Sequence, residues 1–173
     1  GLANESVVRG PGGRFLDIGR RIDRSLLVLG LLEALFEPMP TGTAVAVRGD
    51  LALAACESLV AYRRLHRSDI TLDALGGLLL ADRDNPRSVR FQLDQLVVDL
   101  HDLPDRSVRR RQIAAVRRAQ RVIDTHLPLA PPDRSPGAQG PMGRLVLAAR
   151  EPVLDAGDMI PRGWFSERLR RVR

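Results

Sequence analysis

Apolar residues recur along most of this chain at steps of three and four positions, the spacing that places side chains on one face of an α-helix. The first clear stripe consists of Phe15, Ile18, Ile22, Leu26 and Leu29. No segment shows the apolar–polar alternation that is typical of a half-buried strand. The pattern therefore predicts an all-α protein, a helical bundle of about six or seven helices.

Six further helices follow the first, separated by segments that contain Pro, Gly or Asp. We expect them at about residues 44–66, 72–80, 85–103, 107–127, 143–154 and 164–171. The helix at 44–66 has apolar residues on two faces, which predicts that it is buried on both sides. Asn85 suits the N-cap of the helix at 85–103, because Pro86 then takes the first helical position.

The domain organisation follows from one segment rich in Pro and Gly, residues 128–141, which predicts a loop or linker. We therefore divide the chain into a helical core at 1–127, this loop, and C-terminal helices at 142–173 that pack on the core. A chain of 173 residues is long enough for one compact domain with a buried core.

Composition narrows the class of protein. All 27 basic residues are Arg, and the net charge is +6. Guanidinium groups suit carboxylates and phosphates, but many of these arginines have an acidic residue at helical spacing, so charge alone is weak support for an anionic partner. Cys56 is the single cysteine, which favours a reducing cytoplasm. We expect neither a membrane span, which needs about 20 apolar residues, nor a signal peptide.

The polar side of the first helix concentrates charges of both signs. Asp17 has Arg14 three residues before it and Arg21 four residues after it, a spacing that predicts an Arg–Asp–Arg ladder along one flank. Arg20 and Asp23 form a second predicted pair. Such a flank is either a solvated salt-bridge face or a site for a charged ligand, and the spacing fits both.

A Gly-rich loop with its own charges, Glu5 and Arg9, precedes that helix. Backbone N–H groups at a helix start bind anions readily. The glycines match neither a Walker loop nor a dinucleotide fingerprint, since their spacing differs and no strand precedes them. Glu5 could receive an amine or an Arg, and either Glu5 or Asp23 could serve as the general base of an enzyme.

Other candidate residues have ordinary structural alternatives. Tyr62 and Arg63 can pack or be solvated, and Asn85 can simply be a cap. Arg87 opposes the dipole at its helix start, which favours a specific anionic partner. The helix at 107–127 carries a fan of arginines that is either a solvated face or a contact for an anionic partner or nucleic acid. These are Arg110, Arg111, Arg117, Arg118 and Arg121.

No spacing of His, Cys, Asp or Glu matches a metal site, and no nucleophile–base set can be argued from the sequence. We therefore predict no metal and no cofactor. Nucleic-acid binding stays an alternative function, as do a purely structural role and an enzyme with an unrecognised acid or base.

Three segments in order, residues 4–24, 58–64 and 84–93, resemble blocks of the bacterial alpha-E family, an all-helical domain of unknown function named for a Glu-Arg signature. Asp23-Arg24 stands where the family has that Glu-Arg pair. An earlier helical half of the family domain has no counterpart here, so the chain resembles the C-terminal half.

The resemblance implies partners and a setting. Alpha-E domains are typically encoded beside, or fused to, circularly permuted ATP-grasp ligases, often near transglutaminase-like peptidases or proteasome-like hydrolases. We therefore expect a cytoplasmic accessory domain of a peptide- or amide-ligation system that binds an anionic group or the ligase itself. The candidate binding residues are Glu5, Arg9, Arg14, Asp17, Arg20, Arg21, Asp23, Arg24, Tyr62, Arg63, Asn85 and Arg87.

Overall fold

The computed structural model describes residues 11–67, 69–103, 106–130 and 139–164, which contain seven α-helices and no strand. The helices are α1 (Pro11–Phe36), α2 (Thr43–Ala55), α3 (Leu59–Leu65), α4 (Leu72–Gly76), α5 (Val89–His101), α6 (Arg106–His126) and α7 (Pro141–Trp164). A π-helical segment, Gly77–Ala81, follows α4 directly. The prediction of an all-α bundle is confirmed.

The four long helices α1, α5, α6 and α7 form the bundle. α1 packs on α5 and α7, and α6 packs on the same two helices, so α1 and α6 occupy opposite corners. α5 runs antiparallel to α1. Arg14, near the start of α1, contacts Asp102 after the end of α5, whereas Arg21, further along α1, contacts Gln92 near the start of α5. α7 is also antiparallel to α1, as the ion pair between Glu33 and Arg150 shows together with the hydrogen bond from Gly140 to Glu37. This is an up-and-down arrangement.

The core lies between these four helices. The predicted stripe of α1 faces it: Ile18, Ile22 and Leu29 are buried, and Phe15 and Leu26 are partly buried against the same cluster. Each fully buried aliphatic side chain contributes roughly 1.5–3 kcal/mol relative to exposure. The bundle therefore rests on the periodic apolar positions that the sequence shows.

The helix predicted at 44–66 is two helices, because the chain turns sharply after Cys56. Glu57 has φ 51°, in the left-handed region. Its N–H donates to the carbonyl of Ala54 at 3.0 Å, and the N–H of Ser58 donates to the carbonyl of Leu53 at 2.7 Å. This pair of bonds is a Schellman motif, in which glycine usually takes the position of Glu57. The prediction of one continuous helix is wrong.

The prediction that this region is buried on both sides is also wrong. Val47 is 68% exposed and Leu51 is 55% exposed, although Ala52, Leu53 and Tyr62 are buried. α2 contacts α1, α3 and α4, and the exposure of Val47 and Leu51 leaves one of its two predicted apolar faces open to solvent.

The N-cap of α5 is Ser88 and not Asn85. The Ser88 hydroxyl accepts from the N–H of Phe91 at 3.0 Å, and α5 begins at Val89. Thr71 caps α4 in the same way, accepting from Ala74 at 3.2 Å. Asn85 instead lies in the loop before α5, where its side chain holds the loop together.

The helix predicted at 143–154 is longer at both ends in the structure. α7 continues from Pro141 to Trp164 and passes the predicted end at residue 154, because Val153 and Ala156 remain buried against the core. The predicted final helix at 164–171 lies outside the described residues after its first position. None of the helices in the described ranges is both long and apolar enough to cross a membrane.

Candidate functional site

The arginines on the polar flank of α1 reach across to α5. The Arg14 guanidinium lies 3.0 Å from a carboxylate oxygen of Asp102 and also donates to the Asp102 carbonyl at 3.1 Å. Arg21 pairs with Asp99 and donates to Gln92 Oε1 at 3.3 Å. The predicted ladder within α1 is therefore wrong in its partners, since the carboxylates come from a helix about 80 residues further along the chain.

The rest of this flank faces solvent. Arg20 pairs loosely with Asp17, at 3.7 Å, and not with Asp23 as the spacing predicted. Asp23 and Arg24 are exposed, and neither has an ion-pair or side-chain hydrogen-bond partner among the residues that the structure describes. Glu5 and Arg9 lie outside those residues.

Asn85 braces the loop that leads into α5. Its amide nitrogen donates to the carbonyl of Leu78 at 3.1 Å and to the Ser58 hydroxyl at 3.4 Å, while its oxygen accepts from the N–H of Arg87 at 3.0 Å. The Arg87 guanidinium pairs with Glu57 beside the Schellman turn. Asn85 and Arg87 thus tie the loop before α5 to the turn between α2 and α3.

The three segments that resemble the family blocks meet in space. Gln92 contacts the first block by accepting from Arg21, and its amide donates to the carbonyl of Pro86 at 2.5 Å within the third block. Asn85 joins the third block to the second through Ser58. The polar residues of the three blocks are thus hydrogen-bonded to one another. We infer that much of the motif pattern serves to hold the loop before α5 in place.

Tyr62 and Arg63 lie at the same end of the bundle as Asn85 and Arg87. Tyr62 is buried, its hydroxyl accepts from the N–H of Thr71 at 3.3 Å, and its ring centroid is 4.8 Å from that of His66. Arg63 is exposed and lies 3.9 Å from Asp50. Both border a small cavity of about 200 Å³. The structure separates this pair from Arg14, which lies at the opposite end of the bundle.

A larger cavity, of about 570 Å³, lies on the outer side of α6 and was not among the candidate sites. Its described lining is dominated by arginines: Arg106, Arg109, Arg110, Arg117, Arg118 and Arg121. Arg118 pairs with Asp155 at 2.7 Å, and Arg109 donates to the carbonyls of His101 and Leu103. The sequence predicted a fan of arginines on this helix, but it could not predict that these arginines line a concave surface.

The described residues offer little conventional catalytic machinery. No group of three or more His, Cys, Asp or Glu residues among them could hold a metal ion. Cys56 is buried, and burial raises the pKa of its thiol from 9.0 to about 11. At neutral pH the thiol is therefore protonated and a poor nucleophile.

The comparison with protein families gives a match over residues 1–165 to Alpha-E, described as a predicted alpha-helical domain with a conserved ER motif. The match covers nearly the whole chain. The chain belongs to the Alpha-E family. The Asp23-Arg24 pair of this Alpha-E domain stands at the position of the family's Glu-Arg pair in the resemblance described above, one methylene shorter in its acid.

Mycobacterial proteins are among the sequences similar to this Alpha-E domain. Uncharacterized proteins of Mycobacterium bovis and Mycobacterium tuberculosis are each 40% identical to this Alpha-E domain over 107 residues. That region is 62% of the present chain and only 12% of each relative. No solved structure matches the chain. The comparisons thus show the family and leave the function of the family domain open.

Proposed function

We propose that this Alpha-E domain is an accessory, partner-binding module of an ATP-grasp-associated peptide- or amide-ligation system. The observation that supports the proposal is the exposed pair Asp23 and Arg24, which has no partner among the described residues. Arg21, beside them on the same helix, is held by α5. Charged side chains that the described part of the fold does not bind can contact another molecule.

The contacts divide the charged flank of α1 into two groups. Arg14 and Arg21 fix α1 against α5 and act as positioning residues. Arg20 and Arg24 are the proposed contacts for a carboxylate or phosphate, since a guanidinium binds either group with two parallel hydrogen bonds. Asp23 is the proposed acceptor for a cationic group of the partner.

The proposed partner is an ATP-grasp ligase in the same polypeptide or operon, as the family resemblance implies, with transglutaminase-like or proteasome-like hydrolases as further partners. The share of the relatives that is matched, 12%, supports an accessory role, because a domain of this size leaves most of each relative for other functions. An ATP-dependent ligase sets the proposed complex in the cytoplasm.

The test is to purify the chain with the ATP-grasp ligase encoded beside or fused to it, and to measure their affinity and the ATP turnover of the complex. We expect the double variant Arg20→Gln, Arg24→Gln to raise the Kd about tenfold or more, since two charged contacts are lost. Its thermal unfolding should match that of the parent chain, because neither side chain supports the core.

The matched control is Arg64→Gln, Arg67→Gln, which removes two exposed arginines that have no ion pair among the described residues. It should leave affinity and turnover unchanged. Unaltered binding and turnover in the α1 variant, or an equal loss in the control, would show that the exposed face of α1 is not the docking surface.

A further inference from the structure

α6 has an excess of positive charge equal to the net charge of the whole protein. Seven of the 21 residues of this helix are Arg, and Asp124 is its one acidic residue. The other 20 arginines of the chain are matched by 20 acidic residues. α6 therefore has an excess of six positive charges, and the charges of the rest of the chain sum to zero.

Within α6, Arg106, Arg110, Arg117 and Arg121 follow one another at steps of four, seven and four residues, which aligns them in one stripe. All four are exposed, and none of their guanidinium groups has an ion-pair or hydrogen-bond partner in the described part of the chain. The stripe covers about 22 Å of helix at 1.5 Å per residue. It lines the 570 Å³ cavity, which we call the α6 groove.

This arrangement is electrostatically unfavourable for the protein alone. Arg106 and Arg110, like Arg117 and Arg121, are pairs of like charge at i,i+4, which destabilise a helix slightly. Arg106 also begins the helix, where the dipole favours negative charge, and the first turn of α6 contains no acidic residue. An anionic ligand along the stripe would remove both penalties.

We propose that the α6 groove binds an acidic polypeptide segment, one that presents several Asp or Glu side chains along about 22 Å. Carboxylates match the guanidinium fork in pairs of parallel hydrogen bonds. The lining of the groove also includes Ile113 and Ala114, which offer an amphipathic peptide an apolar contact. This proposal concerns a different helix from the α1 face and goes beyond the proposed function.

A polypeptide fits the groove better than a nucleic acid does. Proteins that bind single strands stack the bases on aromatic side chains, and the described lining of the groove contains no Trp, Tyr or Phe. A helix that reads duplex DNA has to enter the major groove, whereas the arginines here border a concavity. An acidic peptide needs neither a stacking platform nor a protruding helix.

The experiment titrates the whole chain into a fluorescently labelled, Glu-rich peptide of about 15 residues, the length of a helix that spans the stripe. Anisotropy is measured at about 50 mM and 200 mM salt, since exposed charge pairs are screened as salt rises. We expect saturable binding that weakens with salt. The variant Arg117→Gln, Arg121→Gln should raise the Kd about tenfold, and Arg64→Gln, Arg67→Gln should change it less than about twofold.

A second variant, Arg117→Lys, Arg121→Lys, keeps the charge and removes the planar fork, so its Kd should fall between those of the parent and the Gln variant. Circular dichroism of every variant checks that helicity is retained. Tighter binding of an oligonucleotide of equal charge would assign the groove to nucleic acid instead. Absence of saturable peptide binding at low salt, or equal weakening in the Arg64, Arg67 variant, would also overturn the proposal.

Discussion

Two helices of this bundle carry arginines at helical spacing, and they use them in opposite ways. On α1, Arg14 forms an ion pair with Asp102, directly after the end of α5, and Arg21 forms one with Asp99 of α5. On the outer stripe of α6, the guanidinium groups of four arginines have no carboxylate partner among the described residues. The residue type is the same in both places. What differs is whether the adjacent helix supplies the opposite charge.

This difference shows that the role of an arginine-rich helix face depends on the charges that neighbouring helices place beside it. Where a carboxylate lies opposite, the guanidinium fixes the register of two helices and is withdrawn from ligand binding. Where none does, the charge raises the electrostatic energy of the free protein and is available to a partner. Four changes, from the largest expected effect to the smallest, test this contrast.

The largest effect should come from Arg90 on α5, whose side chain is only 7% exposed and which contacts Asp94 at 3.0 Å and Asp124 of α6 at 2.6 Å. Arg90→Met removes the cation and leaves two carboxylates close together. We expect a loss of about 2 kcal/mol in the free energy of unfolding, at the low side for a buried pair because both partners are partly solvated. Urea denaturation measures it.

The control for Arg90 is Arg118→Met, which breaks the exposed pair with Asp155 on α7. Exposed pairs contribute roughly 0–1 kcal/mol. If both variants lost the same stability, burial would not be what separates the arginines that support the fold from those that do not.

The second effect concerns Arg21, which is 25% exposed in its side chain and bound to Asp99 and Gln92. Arg21→Gln should cost about 1.5 kcal/mol of stability, because it leaves a partly buried Asp99 without its cation. Arg117→Gln on the α6 stripe should change stability by less than about 0.5 kcal/mol. Thermal unfolding of the two variants measures both losses of stability. A larger loss for Arg117→Gln than for Arg21→Gln would reverse the contrast between α1 and α6.

The third change turns from the outer to the inner face of α6. Gln112 is buried, and its side-chain oxygen has no hydrogen-bond partner among the described residues. Gln112→Met should stabilise the protein by about 1 kcal/mol, because it removes an unsatisfied polar atom at the cost of one long hydrogen bond to Ala156. Denaturant midpoints measure it. A clear loss of stability would mean that the amide has a role in the contact between α6 and α7.

The smallest effect is expected from Arg106→Glu at the start of α6. A negative charge there complements the helix dipole and relieves repulsion with Arg110, so we expect a gain of about 0.5 kcal/mol with weaker binding of the acidic peptide. Arg121→Glu makes the same change in charge towards the other end of the helix, where the dipole opposes it. Equal thermal shifts in the two variants would remove the dipole from the explanation.

The periodic apolar positions were enough to predict the all-α fold and the core-facing stripe of α1, since burial follows the helical repeat. Two local features could not be predicted. The turn after Cys56 places Glu57 in a left-handed conformation without the glycine that normally marks such a helix end. Asn85 fits a cap by sequence, but Ser88 caps α5, because Asn85 is held by Leu78 and Ser58.

The sequence predicted which residue types the candidate site contains, but not which of those residues pair with one another. Helical spacing finds pairs within one helix, and on α1 the pair of this kind, Asp17 with Arg20, is exposed and 3.7 Å long. The ion pairs that decide the roles of Arg14 and Arg21 join residues about 80 positions apart, and no local pattern contains them. The same limit hid the α6 groove, since a cavity depends on how a helix is set among its neighbours.

The concentration of the net charge in α6 also bears on the colloidal behaviour of the protein. Molecules that repel one another stay dispersed, and solubility falls as net charge approaches zero. Here α6 alone carries an excess of positive charge equal to the net charge, so a polyanion that neutralises this helix would bring the net charge of the protein close to zero. Occupancy of one helix would then govern whether copies of the domain keep apart or cluster, and light scattering during an acidic-peptide titration would follow the transition.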